Sequence, residues 1–240
     1  MNFLFRDLYP PEADGSSSLL LGTKPLMGFS YFKENLYLEF MLQVRMANAS
    51  DAAGILSIYK PYIENTSFTF ETEVPSIEQF GKRIETYLQK WPWIICEIDG
   101  LIAGYVYGAG YRERTAYQWS CECSVYIHED YKGKGLGQHL YEALFPILKL
   151  QGFNNVYAVI NLPNELSVKL HEKCGLEWFA TYENVGYKLG RWKNVGWWRL
   201  KLNDYNSEPA PPLKLSETDQ DLIAEIFRTA ANKIAGNIKG

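Results

Sequence analysis

No run of about 18 consecutive apolar residues occurs in this 240-residue chain, so no simple membrane-spanning helix is expected. Met1 to Leu21 carries Arg6, then Asp7, Pro10, Pro11, Glu12 and Asp14, and only the short apolar run Leu19-Leu20-Leu21, which is not a signal-peptide pattern. A basic excess is missing too: 24 Lys and Arg stand against 28 Asp and Glu, a formal charge of −4. A broad nucleic-acid surface is therefore not expected, and any anion site must be local. The four cysteines, Cys96, Cys121, Cys123 and Cys174, lack CxxC spacing. They are expected to be reduced, partly buried thiols, as in a cytosolic protein, with neither a metal site nor a disulfide. No internal repeat occurs.

Two nucleotide motifs are also absent. None of the glycines is followed by Lys-Ser or Lys-Thr, as a P-loop requires. Gly133-x-Gly135-x-Gly137 has the wrong third step for a dinucleotide fingerprint, whose third glycine comes one residue later. What the chain has is a turn, Lys132-Gly133-Lys134-Gly135-Leu136-Gly137, between the strand-like run Val125-Tyr126-Ile127 and a helical pattern. Alternate glycines let a backbone approach a ligand without Cβ interference. The following helix aims unpaired N–H groups and its positive dipole end at an anion. The stretch reads as a phosphate cradle.

With 47% apolar and 15% aromatic residues, the bulk is globular, and one domain with tails is expected. Residues 1–40 read as an irregular extension. A domain over 41–203 opens with the alternating Leu42 to Met46, and Ser50 or Asp51 is expected to cap a first helix. Ser76 and Gln79 form a capping box for a second. Trp93 to Ile98, Asp99-Gly100 and Leu101 to Tyr107 predict a hairpin, and Trp119 to Ile127 the next strand. Leu140, Leu144, Ile147 and Leu148 mark a helix that Pro146 is expected to kink. A strand at Val156 to Ile160, a helix from Asn164 to Lys173, and closing strands at Tyr182 to Leu189 and Trp197 to Leu202 follow. The Pro-rich segment 204–215 reads as a linker. Residues 216–240 carry an amphipathic helix with a stripe of Ile223, Ile226, Phe227, Ala230 and Ile234, expected to pack on its own domain or a sister subunit, or else to bind a partner.

This order, with the glycine turn after the fourth strand, resembles the GNAT superfamily of acyl-CoA-dependent N-acetyltransferases. The turn matches Gln/Arg-x-x-Gly-x-Gly/Ala except at its first position, where Lys132 stands. Asn164-x-x-Ser167-x-x-Leu170-His171-Glu172-x-x-Gly175-Leu176 looks like a later helix of the family. Residues 42–202 are similar to the phosphinothricin N-acetyltransferase branch, through Thr66 to Thr72, Arg112-x-Arg114-x-x-Tyr117-x-Trp119, Glu122-x-Ser124-Val125-Tyr126, Ala158-Val159-Ile160-x-Leu162-Pro163-Asn164, and Gly186-Tyr187-Lys188-x-Gly190-x-Trp192-x-x-Val195-Gly196. The resemblance implies an α+β fold of GNAT type: a mixed, mostly antiparallel sheet flanked by helices, splayed between the fourth and fifth strands. It also implies a homodimer.

The implied reaction passes the acetyl group of acetyl-CoA to the α-amine of an amino-acid-like substrate of the phosphinothricin or methionine sulfoximine/sulfone type, by direct attack. An α-ammonium is mostly protonated at neutral pH, so a base must help. The resemblance points to Glu122 and His171 for this. It assigns Val125, Tyr126 and Ile127 to the thioester, and Lys132, Gly133, Lys134, Gly135, Leu136, Gly137 and Gln138 to the coenzyme pyrophosphate. Asn164 and Ser167 go to the pantetheine arm or its phosphate. Arg112, Arg114, Tyr117, Phe70 and Tyr126 are the expected substrate contacts. Two alternatives stay open: another amine, such as a peptide N-terminus, a polyamine or an aminoglycoside, and a coenzyme-binding sensor without turnover. Cationic acceptors would favour an acidic pocket, which Arg112 and Arg114 count against.

Overall fold

A computed structural model describes residues 42–238; the extension expected at 1–40 lies outside them. Seven strands form one sheet in the order β1-β2-β3-β4-β5-β7-β6. They are β1 (Leu42–Met46), β2 (Trp93–Ile98), β3 (Leu101–Gly110), β4 (Ser120–Ile127), β5 (Asn155–Leu162), β6 (Glu177–Lys188) and β7 (Arg191–Lys201). Only β4 and β5 pair in parallel; the other neighbours are antiparallel. The helices are α1 (Ala52–Asn65), α2 (Ile77–Leu88), α3 (Leu136–Leu150), α4 (Glu165–Lys173) and α5 (Gln220–Ile238).

Alternation along the strands divides the core between two faces. In β2, Ile95 and Trp93 turn toward α1 and α2, joining Ile55, Phe80, Ile84 and Tyr105. Ile94 and Cys96 turn the other way, joining Leu140, Leu144, Ile147 and Phe153 around α3. Each large apolar side chain buried this way contributes about 1.5–3 kcal/mol.

Local chemistry sets the element ends. The capping box at α2 is present: Gln79 N donates to Ser76 Oγ at 3.1 Å and Ser76 N to Gln79 Oε1 at 2.9 Å. Asp51 stands at the N-cap position of α1 but makes no side-chain cap hydrogen bond there, and the side chain that caps this stretch is that of Asn48, not Ser50. Asn48 starts a 3-10 turn, Ala49–Asp51, while the Asp51 carboxylate is held by Arg45 at 2.7 Å. Helix α3 continues across Pro146 to Leu150. Strands β6 and β7 are longer than their alternation predicts. Register shifts at Trp178/Ala180 and Tyr182/Gly186 break the period of two along β6.

The Pro-rich segment lies along the domain. Leu213 N donates to Gln151 O at 2.8 Å, and Trp119 Nε1 donates to Ala210 O at 2.8 Å. Helix α5 then packs on α3 and β1, with Ile223, Ala230 and Ile234 buried. Among the described residues, no helix is long and apolar enough to cross a membrane.

Candidate active site

Pairing between β4 and β5 covers Ser120 to Cys123 against Asn155 to Ala158 and then stops, whereas β3 follows β4 as far as Ile127. The sheet is thus open beside Ser124 to Ile127. His128 N donates to Ala103 O at 2.9 Å, so the alternating antiparallel pattern turns the main-chain groups of Ser124 and Tyr126 toward β3. Those of Val125 and Ile127 face the gap. Tyr62 Oη donates to Ile127 O at 3.1 Å.

The glycine turn follows directly. Gly133 and Gly135 both have φ of +76°, and a Cβ on Gly133 would meet nothing within 4 Å. Gly135 is the N-cap of α3, and Gln138 N and His139 N donate back to its carbonyl. The Leu136 and Gly137 amides therefore have no acceptor within the helix. Gly137 packs under α4, where a Cβ would lie 3.0 Å from Leu170 Cδ2. Lys132 pairs with Glu129 and sits 5.2 Å from the Tyr62 ring centroid; Lys134 lies 5.2 Å from that of Tyr131. Two bare amides at a helix end, the Lys134 ammonium beside a Glu129-paired Lys132, and a strand edge without a partner fit the anionic and amide-rich parts of an acyl-coenzyme.

Glu122 faces the α1 and α2 side of the sheet, opposite Cys121 and Cys123. Burial pushes its carboxyl up to about 7, while the Arg112 charge pulls the other way. Arg112 is exposed and stacks over Tyr111 at 5.3 Å. Tyr117 meets the same ring edge-on at 5.7 Å, and Tyr157, the β5 residue opposite Glu122, stacks on it at 4.6 Å. Arg112, Tyr117 and Tyr157 thus meet at Tyr111, and Glu122 adjoins this cluster through Tyr157 and the Arg112 charge. Arg114 is exposed just before the 3-10 turn Thr115–Tyr117. Tyr126 lies deeper, against Tyr59, Tyr62 and Tyr105 with ring centroids at 4.8, 5.1 and 5.3 Å. Phe70 is half-exposed over Gly186, on a loop tied down by Lys188 Nζ donating to Thr69 O at 2.8 Å and by Glu71 to Arg83 at 2.6 Å.

His171 stands elsewhere. It is 5% exposed and on the α3 side of β4, with Nδ1 2.7 Å from Ser167 O and Nε2 2.8 Å from Tyr141 Oη. Nδ1 must donate to that carbonyl, so Nε2 accepts from the tyrosine. Burial pushes the imidazole pKa down, opposed by the Ser167 hydrogen bond. The structure does not bring Glu122 and His171 together on one face. Asn164 and Ser167 follow the end of β5 that has lost its pairing with β4, and Asn164 Oδ1 caps α4 by accepting from Ser167 N at 3.3 Å.

Three groups were not legible as site residues. Asn161 and Trp197 share the Glu122 face of the sheet, both are buried, and the Asn161 amide and Trp197 Nε1 have no hydrogen-bond partner among the described residues. Tyr111 organises the arginine side. An Asn at the end of an otherwise apolar strand was the available signal for Asn161; nothing marked the other two.

The family described as acetyltransferase (GNAT) domain matches residues 44–197. A phosphinothricin N-acetyltransferase of Streptomyces viridochromogenes is 37% identical over 171 residues, covering 71% of this chain and 91% of that protein. An L-methionine sulfoximine/L-methionine sulfone acetyltransferase of Pseudomonas aeruginosa is 31% identical, covering 69% of this chain and 98% of its own length. A GNAT superfamily phosphinothricin acetyltransferase from Sinorhizobium meliloti, solved in complex with acetyl-CoA, superposes with a TM-score of 0.67 at 29% identity, covering 71% of this chain and 94% of that one. Main-chain donors in a strand gap ahead of a helix N-terminus are what a thioester-using acyltransferase needs, and these relatives are of that class. The chain belongs to the GNAT acetyltransferase family, and it is an N-acetyltransferase.

Proposed function

We propose that this enzyme transfers the acetyl group of acetyl-CoA to the α-amine of a small amino-acid-like acceptor, of the phosphinothricin or methionine sulfoximine/sulfone type, by direct attack. The observation that carries this reading is the placement of a carboxyl raised to about 7 beside both the strand gap and an arginine. Acetyl-CoA supplies an activated acyl group as a thioester. The Val125 and Ile127 amides offer donors to its carbonyl oxygen, and the Leu136 and Gly137 amides, with Lys132 and Lys134, receive its pyrophosphate. Asn164 and Ser167 border the pantetheine arm.

Glu122 takes the proton of the attacking amine, directly or through a water. Arg112, with Arg114 near it, receives the acceptor's acid group by charge-assisted hydrogen bonds, while Phe70, Tyr117 and Tyr126 wall the pocket. His171, already engaged by Tyr141 and Ser167, holds α4 and α3 in register beneath the gap and lies behind the reacting groups. Direct attack is favoured over a covalent enzyme intermediate because Cys123 faces away from Glu122, and burial pushes its thiol up to about 12. Four free cysteines accord with a cytoplasmic setting. The exposed aromatics Trp178, Phe179, Tyr182, Tyr187 and Trp192 on β6 and β7 accord with a homodimer.

Coenzyme A release followed against a panel of amino acids tests the reaction. Turnover with glutamate-like or methionine-like acceptors and none without amine is expected. A burst of free coenzyme A before amine is added would overturn direct transfer, and turnover confined to polyamines would overturn the acceptor class.

A further inference from the structure

Helix α5 lies beyond residues 44–197, the part that matches the family, yet its last turns end on the glycine loop. Ile223, Ala230 and Ile234 are buried against the domain, which leaves Lys233 and Asn237, one turn apart, on an exposed edge facing α3. Lys233 Nζ lies 2.8 Å from Glu142 Oε2. Glu142 also meets His139 Nδ1 at 3.1 Å and Gln138 Nε2 at 2.8 Å. Partial burial would raise its carboxyl, but the bonds from Lys233, His139 and Gln138 hold it down to about 2, so it stays ionised through neutral pH. Asn237 Nδ2 completes the chain at 2.9 Å from His139 Nε2. An amide nitrogen can only donate, so Nε2 accepts and Nδ1 carries the proton toward Glu142. The same Nδ2 would lie 2.6 Å from a Cβ on Gly135, the left-handed residue that caps α3. Its second hydrogen has no acceptor among the described residues.

We propose that Asn237 is a positioning residue for the coenzyme cradle: braced on Gly135 and His139, it fixes the loop whose amides receive the coenzyme pyrophosphate. Coenzyme affinity in this chain then depends on a helix outside the family domain. Gly133 has open space around it, so without a brace the loop has freedom to lose on binding. The inference rests on acetyl-CoA occupying the cradle.

Calorimetry with coenzyme A on the full chain, paired with KM for acetyl-CoA and for acetyl-pantetheine, which lacks the pyrophosphate, tests it. Asn237→Ala is expected to weaken coenzyme A about fivefold. Asn237→Asp, which sets a carboxylate beside the same anion, is expected to weaken it about tenfold or more. KM for acetyl-pantetheine stays unchanged in both, and because Asn237 is exposed, Tm moves by less than about 2 °C. Unchanged coenzyme A affinity in both variants would overturn the inference, as would equal losses toward the two thioesters, which would mark a general effect on folding. Wild-type protein giving no heat with coenzyme A would overturn the coenzyme reading itself, a result distinct from either.

Discussion

Glu122 is an acid whose folded-state pKa, about 7, lies above the ordinary 4.5, because burial disfavours its charge more than Arg112 restores it. Two consequences follow with opposite practical signs. For catalysis, the base form appears as pH rises, so kcat/KM is expected to climb through about 7, and Glu122→Gln to flatten that limb and lower kcat about 100-fold. For stability, a raised acid is favourable when protonated: its contribution is complete below 4.5 and is lost as pH rises through about 7. Glu122→Gln should therefore raise Tm at pH ~8 and leave it unchanged at pH ~4. A lower Tm at the higher pH would mean the carboxylate is stabilised where it sits. His171 behaves differently: His171→Ala leaves the Tyr141 hydroxyl buried without its acceptor, which costs about 1–3 kcal/mol in urea unfolding. The pH limb near neutrality should survive that substitution; its disappearance would move the base role to the imidazole.

At the scale of elements, the loop carrying Phe70 and the β6–β7 hairpin are locked together at Gly186, where a Cβ would fall 2.3 Å from Phe70 Cζ. Gly186→Ala must displace that ring. It is expected to raise KM for the amine severalfold and leave KM for acetyl-CoA alone, because the glycine turn proposed to hold the coenzyme lies on other elements. A change in the acetyl-CoA constant alone would place Phe70 on the coenzyme side. Helix α5 belongs to the same folding unit as the sheet: Ile234 is fully buried, so Ile234→Ala should cost about 2–4 kcal/mol in denaturant unfolding. Loss of helicity with no loss of sheet stability would show instead that the helix melts separately.

Across the whole molecule, the order of strands and helices was readable because most elements follow their own period, as in the Ile94/Ile95 alternation and the Ser76/Gln79 box. The starts of β6 and β7 were not, since two register shifts scramble the alternation and leave aromatics on view along the edge. The glycine turn ahead of α3 and the position of Glu122 on β4 could be located from local pattern and resemblance. The separation of His171 from Glu122 could not, because it depends on how α4 docks against α3, a tertiary fact that no spacing encodes. The same holds for Asn237 and His139, which lie far apart in sequence and meet only when α5 packs.

The central claim is that an acyl thioester held in the β4–β5 gap is attacked by an amine that Glu122 deprotonates. The most direct measurement is single-turnover acetyl transfer to an amino-acid-like acceptor by wild type and Glu122→Gln across pH, with coenzyme A binding measured on both. The account predicts equal coenzyme affinity, with a wild-type rate that rises through about pH 7 and a slow, pH-flat variant. A Glu122→Gln enzyme that binds coenzyme A and keeps the wild-type rate and profile would contradict it.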